Sequence, residues 1–106
     1  MKKKILEIHL EDDSKSFMEN LKDFELPLAA EIVTKICDAI DNNITFVDTA
    51  KIITPYHHIT LTAQEKNYIE TLEINKDTLI KYEEFELCAR AVKCIEKLKK
   101  KDLASK

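Results

Sequence analysis

The chain has 106 residues, of which 44% are hydrophobic and 35% are charged, and its formal net charge is −3 at pH 7. This composition indicates one globular domain with a single hydrophobic core and excludes an intrinsically disordered chain. The sequence contains no glycine, which excludes the glycine-rich loops that hold phosphate groups and dinucleotides in many enzymes.

Cysteine content and the start of the sequence bear on the cellular compartment. The chain has three cysteines, Cys37, Cys88 and Cys94, and all three lie in helical apolar patterns. An odd number of cysteines in such patterns is typical of reduced thiols packed in a core. Acidic residues and a histidine interrupt the apolar segment at residues 5–11, so it does not resemble a secretory leader. No apolar stretch is long enough to span a membrane. We therefore expect a cytoplasmic protein with no disulfide, metal or cofactor.

The charges are distributed unevenly along the chain. Lysines near the two ends, in residues 2–4 and 97–106, account for eight of the 17 cations, which leaves nine cations against 19 acidic residues in residues 5–96. An acidic surface repels a phosphate backbone, which a nucleic-acid-binding protein must instead neutralise with clustered cations. The sequence therefore argues against nucleic-acid binding.

The first predicted elements are a strand and a short helix. Apolar and polar residues alternate over residues 4–11, which is the pattern of a half-buried strand. Ser14 or Ser16 then caps a helix whose apolar positions reach Phe24. Pro27 is expected to end or bend this helix, because proline disfavours the helical conformation in the residue before it.

The clearest helical pattern of the sequence follows Pro27. Its apolar positions recur at steps of three and four residues, and they are Ala29, Ile32, Val33, Ile36, Cys37 and Ile40. Asn42 and Asn43 are expected to end this helix, since asparagine replaces glycine in left-handed caps.

The middle of the chain contains a segment with two interpretations. In residues 44–53, Thr45 and Asp48 have the spacing of a helix cap, which predicts a short helix, whereas the β-branched residues favour a strand. Residues 56–61 look extended, and we expect them to pair with residues 4–11 in a small two-stranded sheet.

Two further helices are predicted in the C-terminal half. Thr62 and Glu65 have the spacing of a capping box and begin the first of them. The chain turns at residues 75–77, and Asp77 or Thr78 caps the last and longest helix, which runs to about residue 100.

These elements predict a mainly α fold of four to five helices in one small domain over residues 1–101. A minor two-stranded β element is expected from residues 4–11 and 56–61. Residues 102–106 are expected to form a frayed C-terminal tail.

The last helix carries a wide apolar stripe that the protein's own core or a partner must cover. We predict that the stripe binds a protein partner or a second copy of the chain as a homodimer. The predicted contact residues are Phe85, Cys88, Val92 and Ile95, with Tyr82 and Arg90 at the rim. The sequence thus favours a small, non-catalytic interaction or regulatory protein of bacterial or phage type.

Residues 55–62, with the sequence PYHHITLT, suggest an alternative function. The segment from His57 to Thr62 is similar to the first strand of the vicinal-oxygen-chelate family, which implies a divalent metal bound by a strand histidine. His58 and Thr60 resemble half of the paired His-x-Thr signature of 2H phosphoesterases, which implies that they bind and protonate a phosphate. The alternative is therefore a metal-binding or phosphoester-binding enzyme that uses His57, His58 and Thr60.

Two other interpretations concern nucleic acids. Residues 28–53 fit a helix-turn-helix, but its second helix offers Asp48 and Lys51 and no arginine, so we expect a helix pair that packs rather than one that reads DNA. The excess of acidic residues in residues 5–96 also suits a decoy. Such a decoy would occupy the nucleic-acid-binding surface of another protein and so regulate it.

Overall fold

Three strands and three α-helices make up the part of the chain that the computed structural model describes, residues 5–10 and 22–104. In chain order they are β1 (Leu6–His9), α1 (Glu25–Asp41), β2 (Phe46–Ile53), β3 (His58–Gln64), α2 (Tyr68–Lys81) and α3 (Phe85–Ala104). Short 3₁₀ turns, Lys22–Phe24 and Glu65–Asn67, lead into α1 and α2. No helix in these two ranges is both long and apolar enough to cross a lipid bilayer.

The sheet has β2 at its centre, parallel to β1 on one side and antiparallel to β3 on the other. Ile8 of β1 and Ile52 of β2 are register partners and both are buried, whereas Glu7 and His9 are exposed. Side chains alternate between the two faces of a strand. One face of the sheet therefore lies in the core, and we call the other its open face.

The helices pack against the buried face of the sheet and against one another. α1 lies on β2, and α2 and α3 pack on α1. The main core forms where the three helices meet, around Val33, Leu72 and Ala91, which have no exposed surface. Tyr68 is also buried there, and its hydroxyl donates a hydrogen bond to the carbonyl of Ile44 at 3.0 Å. Removal from water raises the pKa of this hydroxyl.

The predicted mainly α fold is wrong. The described residues form an α+β domain with three helices and a mixed three-stranded sheet, not four to five helices with a two-stranded element. Residues 4–11 and 56–61 do contain β1 and the first part of β3, but they do not pair with each other. Each of them pairs with β2 instead.

The difference between the predicted and the observed fold class lies mainly in residues 44–53. This segment contains β2 and not a short helix. Ala50 and Ile52 are buried at the centre of the sheet, and β2 has a hydrogen-bonded neighbour on both sides. This burial and pairing outweigh the cap spacing of Thr45 and Asp48. The helix-turn-helix over residues 28–53 is wrong for the same reason.

α1 confirms the helix predicted after Pro27, although Pro27 itself lies inside it as the third residue. The N–H groups of the first helical turn have no partner within the helix, so proline is tolerated there. Asn43 adopts a φ of 57° just after α1, which confirms the predicted asparagine cap. The helix predicted from Ser14 or Ser16 lies outside the described residues, except for the 3₁₀ turn before α1.

The predicted helix boundaries in the C-terminal half are wrong. Thr62 caps no helix, because it lies in β3 and its hydroxyl donates a hydrogen bond to the Asp48 carboxylate at 2.7 Å. α2 runs unbroken through residues 75–78. The break falls instead at Glu83, whose φ of 60° is left-handed and costs a non-glycine residue about 1–2 kcal/mol.

The three cysteines are buried, as predicted. The Cys37 thiol lies beside Cys94 and 4.0 Å from the carbonyl of Arg90, between α1 and α3. Burial, and then the hydrogen bond with Cys94, raises the pKa of Cys37. The Cys37 thiol is therefore a protonated core group at neutral pH.

Candidate interaction surfaces

β3 is an edge strand with an unusual composition. Within residues 5–10 and 22–104, no strand pairs with the side of β3 that faces away from β2, and we call this side the free edge of β3. β3 lies in residues 52–64, the longest run without a charged residue in a chain that is 35% charged. Solvent-facing edges are usually protected by lysine, proline or a bulge. β3 contains no lysine or proline, and the bulge of the sheet lies in β2.

Hydrogen bonds beyond both ends of β3 show which main-chain groups face β2. The carbonyl of His57 accepts a hydrogen bond from the N–H of Thr54 at 2.8 Å. The N–H of Glu65 donates to the carbonyl of Thr45 at 2.7 Å. Odd-numbered residues of this segment therefore turn their main-chain groups toward β2.

The even-numbered residues of β3 have the opposite orientation, because main-chain direction alternates along an antiparallel strand. The carbonyl of Leu61 fits this pattern, since it faces β2 and accepts a hydrogen bond from the Thr49 hydroxyl at 2.9 Å. The N–H and C=O groups that point to the free edge belong to His58, Thr60, Thr62 and Gln64. These are the groups that an added strand would bind.

The side chains of β3 fall into an uncharged polar row and an apolar row. The polar row is exposed on the open face and consists of His58, Thr60, Thr62 and Gln64. The apolar row faces the helices and consists of Ile59, Leu61 and Ala63. Ile59 is the most exposed of the three, with 39% of its surface accessible. An added strand would therefore cover apolar surface as well as main-chain groups.

The histidines predicted as an alternative site lie at the start of the same strand. His57 is in the turn between β2 and β3, and His58 and Thr60 are on the open face. The register places Ile53 between His58 and His9, so the two imidazoles flank an apolar side chain. In the described part of the chain, no three His, Cys, Asp or Glu side chains are grouped so as to hold a metal ion.

The contact residues predicted on the last helix fall into two groups. Cys88 and Ile95 are buried in the main core, against the other two helices. Phe85 and Val92 are exposed on α3, with 62% and 40% of their surface accessible, and Tyr82 is exposed in the turn before it. The structure thus brings only part of the predicted stripe to the surface.

Arg90, predicted at the rim of the stripe, links α3 to α1. Its guanidinium donates hydrogen bonds to the carboxylates of Asp38 at 2.6 Å and Asp41 at 3.3 Å. The bond to Asp38 is the main reason that the pKa of Arg90 is raised. Arg90 therefore holds two helices of this chain together.

A cleft of about 610 Å³ separates the start of α1 from the second half of α2. On its wall, the Glu25 carboxylate accepts hydrogen bonds from the Tyr82 hydroxyl at 2.9 Å and from the Lys81 ammonium at 3.3 Å. The Tyr82 bond, followed by the Lys81 bond, lowers the pKa of Glu25 and leaves the carboxylate charged. The hydrogen bond between Tyr82 and Glu25 also raises the pKa of the Tyr82 hydroxyl.

Replacing Tyr82 by phenylalanine should raise the pKa of Glu25 toward its ordinary value, because the phenol makes the largest contribution to lowering it. The pKa can be followed by NMR titration of the Glu25 side-chain carboxyl group. Lys81→Gln is the matched variant; it removes the ammonium hydrogen bond and its charge and should also raise the pKa of Glu25. An unchanged pKa in Tyr82→Phe would show that the hydrogen bond is not formed in solution.

Residues 55–62 were predicted as a site because of their histidines, and the free edge of β3 was not predicted. The signal that could have found it is the uncharged run over residues 52–64. Comparison of the chain with protein-family models, with curated proteins and with solved structures finds no match.

Proposed function

We propose that this protein is a small, non-catalytic interaction protein that binds another polypeptide by strand addition at the free edge of β3. The observation that carries the proposal is a seven-residue edge strand that is largely exposed and has no charged residue. Edges of this kind are templates for pairing with another chain. We infer a cytoplasmic location, because the chain has three buried cysteines that are not joined to one another.

The main-chain geometry supports binding of an extended segment. Four residues of β3 direct both their N–H and C=O groups outward, and Ile59 offers apolar contact beside them. In strand addition, main-chain hydrogen bonds supply affinity and alternate side chains supply specificity. Phe85 and Val92 on α3 remain a predicted second contact surface.

Peptides selected from a random displayed library on the immobilised full-length protein test this proposal. Thr60→Pro should weaken their binding by about tenfold or more, because the Thr60 N–H points to the free edge and proline removes it without breaking a bond to β2. Thr60→Val is the matched control and keeps the N–H. Titration of each variant with the selected peptides measures the change in affinity.

Two further variants separate the β3 proposal from the other predicted sites. His58→Ala keeps the main chain and should leave peptide affinity nearly unchanged. If the His58 imidazole formed the binding site, the same substitution would abolish peptide binding. Val92→Glu should also have little effect. Binding that Val92→Glu abolishes and Thr60→Pro does not would move the interaction surface to α3 and contradict the proposal.

A further inference from the structure

We infer that the strand added to the free edge of β3 is β3 of a second copy of this chain, so that two copies join their sheets in an antiparallel homodimer. This inference rests on the proposed function, because it requires that the free edge binds a strand. It goes further by naming the partner, the direction and the register.

The register follows from which main-chain groups point outward. In an antiparallel pair, residues that exchange hydrogen bonds must both point toward the partner strand, so even-numbered residues of one β3 oppose even-numbered residues of the other. The overlap is complete over His58–Gln64 when the two-fold axis passes through Leu61. This register forms about eight main-chain hydrogen bonds.

The side chains of β3 are self-complementary in this register. On the open face, Thr60 lies opposite Thr62 of the second copy, and His58 opposite its Gln64. On the helix side, Leu61 meets its own counterpart and Ile59 meets Ala63. No charged residue faces another, because β3 contains none. Like charges placed opposite each other are what normally prevent self-pairing of sheets.

The other edge of the sheet is less suited to a second copy. β1 has four residues, against seven in β3, and it carries a charged Glu7 paired with His9 at 3.2 Å. A pair of seven-residue strands alone is at the low end of specific interfaces, below about 1,200 Å². We therefore expect a homodimer that dissociates on dilution.

Sedimentation equilibrium of the full-length protein over a range of concentrations tests the inference. The wild type should approach twice the chain mass of 12.3 kDa as its concentration rises. T60K/T62K places two lysine pairs across the interface and should raise the dissociation constant by about thirtyfold or more. T60E/T62K has the same two positions charged but pairs opposite signs, and it should dimerise at least as tightly as the wild type.

The two double variants change the same two positions but differ in their charge pairs within the monomer, so the folding of each is checked directly. In the monomer, position 60 is the register partner of Lys51 and position 62 is that of Asp48. T60E/T62K therefore gains two favourable pairs, whereas T60K/T62K gains one favourable and one unfavourable pair. Circular dichroism of both variants should show the wild-type fold.

Amide exchange measured by NMR gives a second reading of the register. The N–H groups of Ile59, Leu61 and Ala63 should be protected in monomer and dimer alike, since they face β2. Those of Thr60 and Thr62 should become protected only as the homodimer forms. Protection that follows this alternation supports the inference.

The outcomes distinguish this inference from the proposed function. A wild type that stays monomeric at about 1 mM, with rapid exchange at Thr60 and Thr62, overturns the homodimer, while peptide binding sensitive to Thr60→Pro still supports strand addition. If T60K/T62K dimerises with the same dissociation constant as the wild type, pairing through β3 is overturned. Failure of both self-association and peptide binding overturns both proposals.

Discussion

Leu72→Ala should lower the free energy of unfolding by about 3 kcal/mol or more. Leu72 lies on α2 with no exposed surface, in the core where the three helices meet. Truncation removes buried apolar atoms and leaves a cavity that close-packed helices fill poorly, and buried Leu→Ala substitutions cost about 2–5 kcal/mol. Urea unfolding followed by circular dichroism measures the change.

Ile74→Ala is the matched control for Leu72→Ala, because it is in the same helix and 61% of the Ile74 surface is exposed. Its effect should be within about 0.5 kcal/mol. Equal effects at the two positions would contradict the way that α2 faces the core. The strand-pairing tests at β3 are independent of both substitutions, since neither residue lies in the sheet.

Alkaline pH should destabilise the protein steeply. Burial raises the pKa of the Cys37 thiol above the ordinary value of 9.0, and the pKa values of Cys88 and Tyr68 are raised for the same reason. The folded state therefore holds protons that the unfolded chain releases. The stabilisation by Cys37 is complete below about pH 9 and is lost as the pH rises toward the folded-state pKa, by about 1.4 kcal/mol per pH unit. Cys88 adds to this loss from the same ordinary value, and Tyr68 adds to it only above its ordinary value of 10.0.

Unfolding in urea at a series of pH values from 7 to about 10.5 measures this dependence. Cys37→Ala removes one of the groups, so the alkaline slope of that variant should be shallower by about one proton. A free energy of unfolding that is constant across the series would contradict the burial of these groups. So would an unchanged slope in Cys37→Ala.

The parts of the fold that could be predicted from sequence are those set by local patterns. The three- and four-residue spacing of apolar positions identified α1, and the need for a left-handed residue identified Asn43. The alternation over residues 4–11 located β1. In each case neighbouring residues in the sequence determine the conformation.

The sequence prediction failed where distant residues determine the outcome. Residues 44–53 contain both a helix-cap spacing and β-branched residues, and only pairing with β1 and β3 decides between them. The same limit applies to the candidate site. That β3 is an edge strand depends on the strand order, which no local pattern encodes. The boundary between α2 and α3 was missed because Glu83, a residue that rarely adopts positive φ, makes the turn.

The parallel pairing of β1 with β2 has a consequence for synthesis on the ribosome. β2 and β3 are neighbours in the chain and can form their hairpin as soon as both have emerged. β1 is made first, but its partner is complete only at Ile53, and at about 5–20 residues per second this leaves β1 waiting for about two to nine seconds. Ile8, which is buried in the finished sheet, is exposed to the cell during this interval. Nascent-chain misassembly should therefore begin at β1.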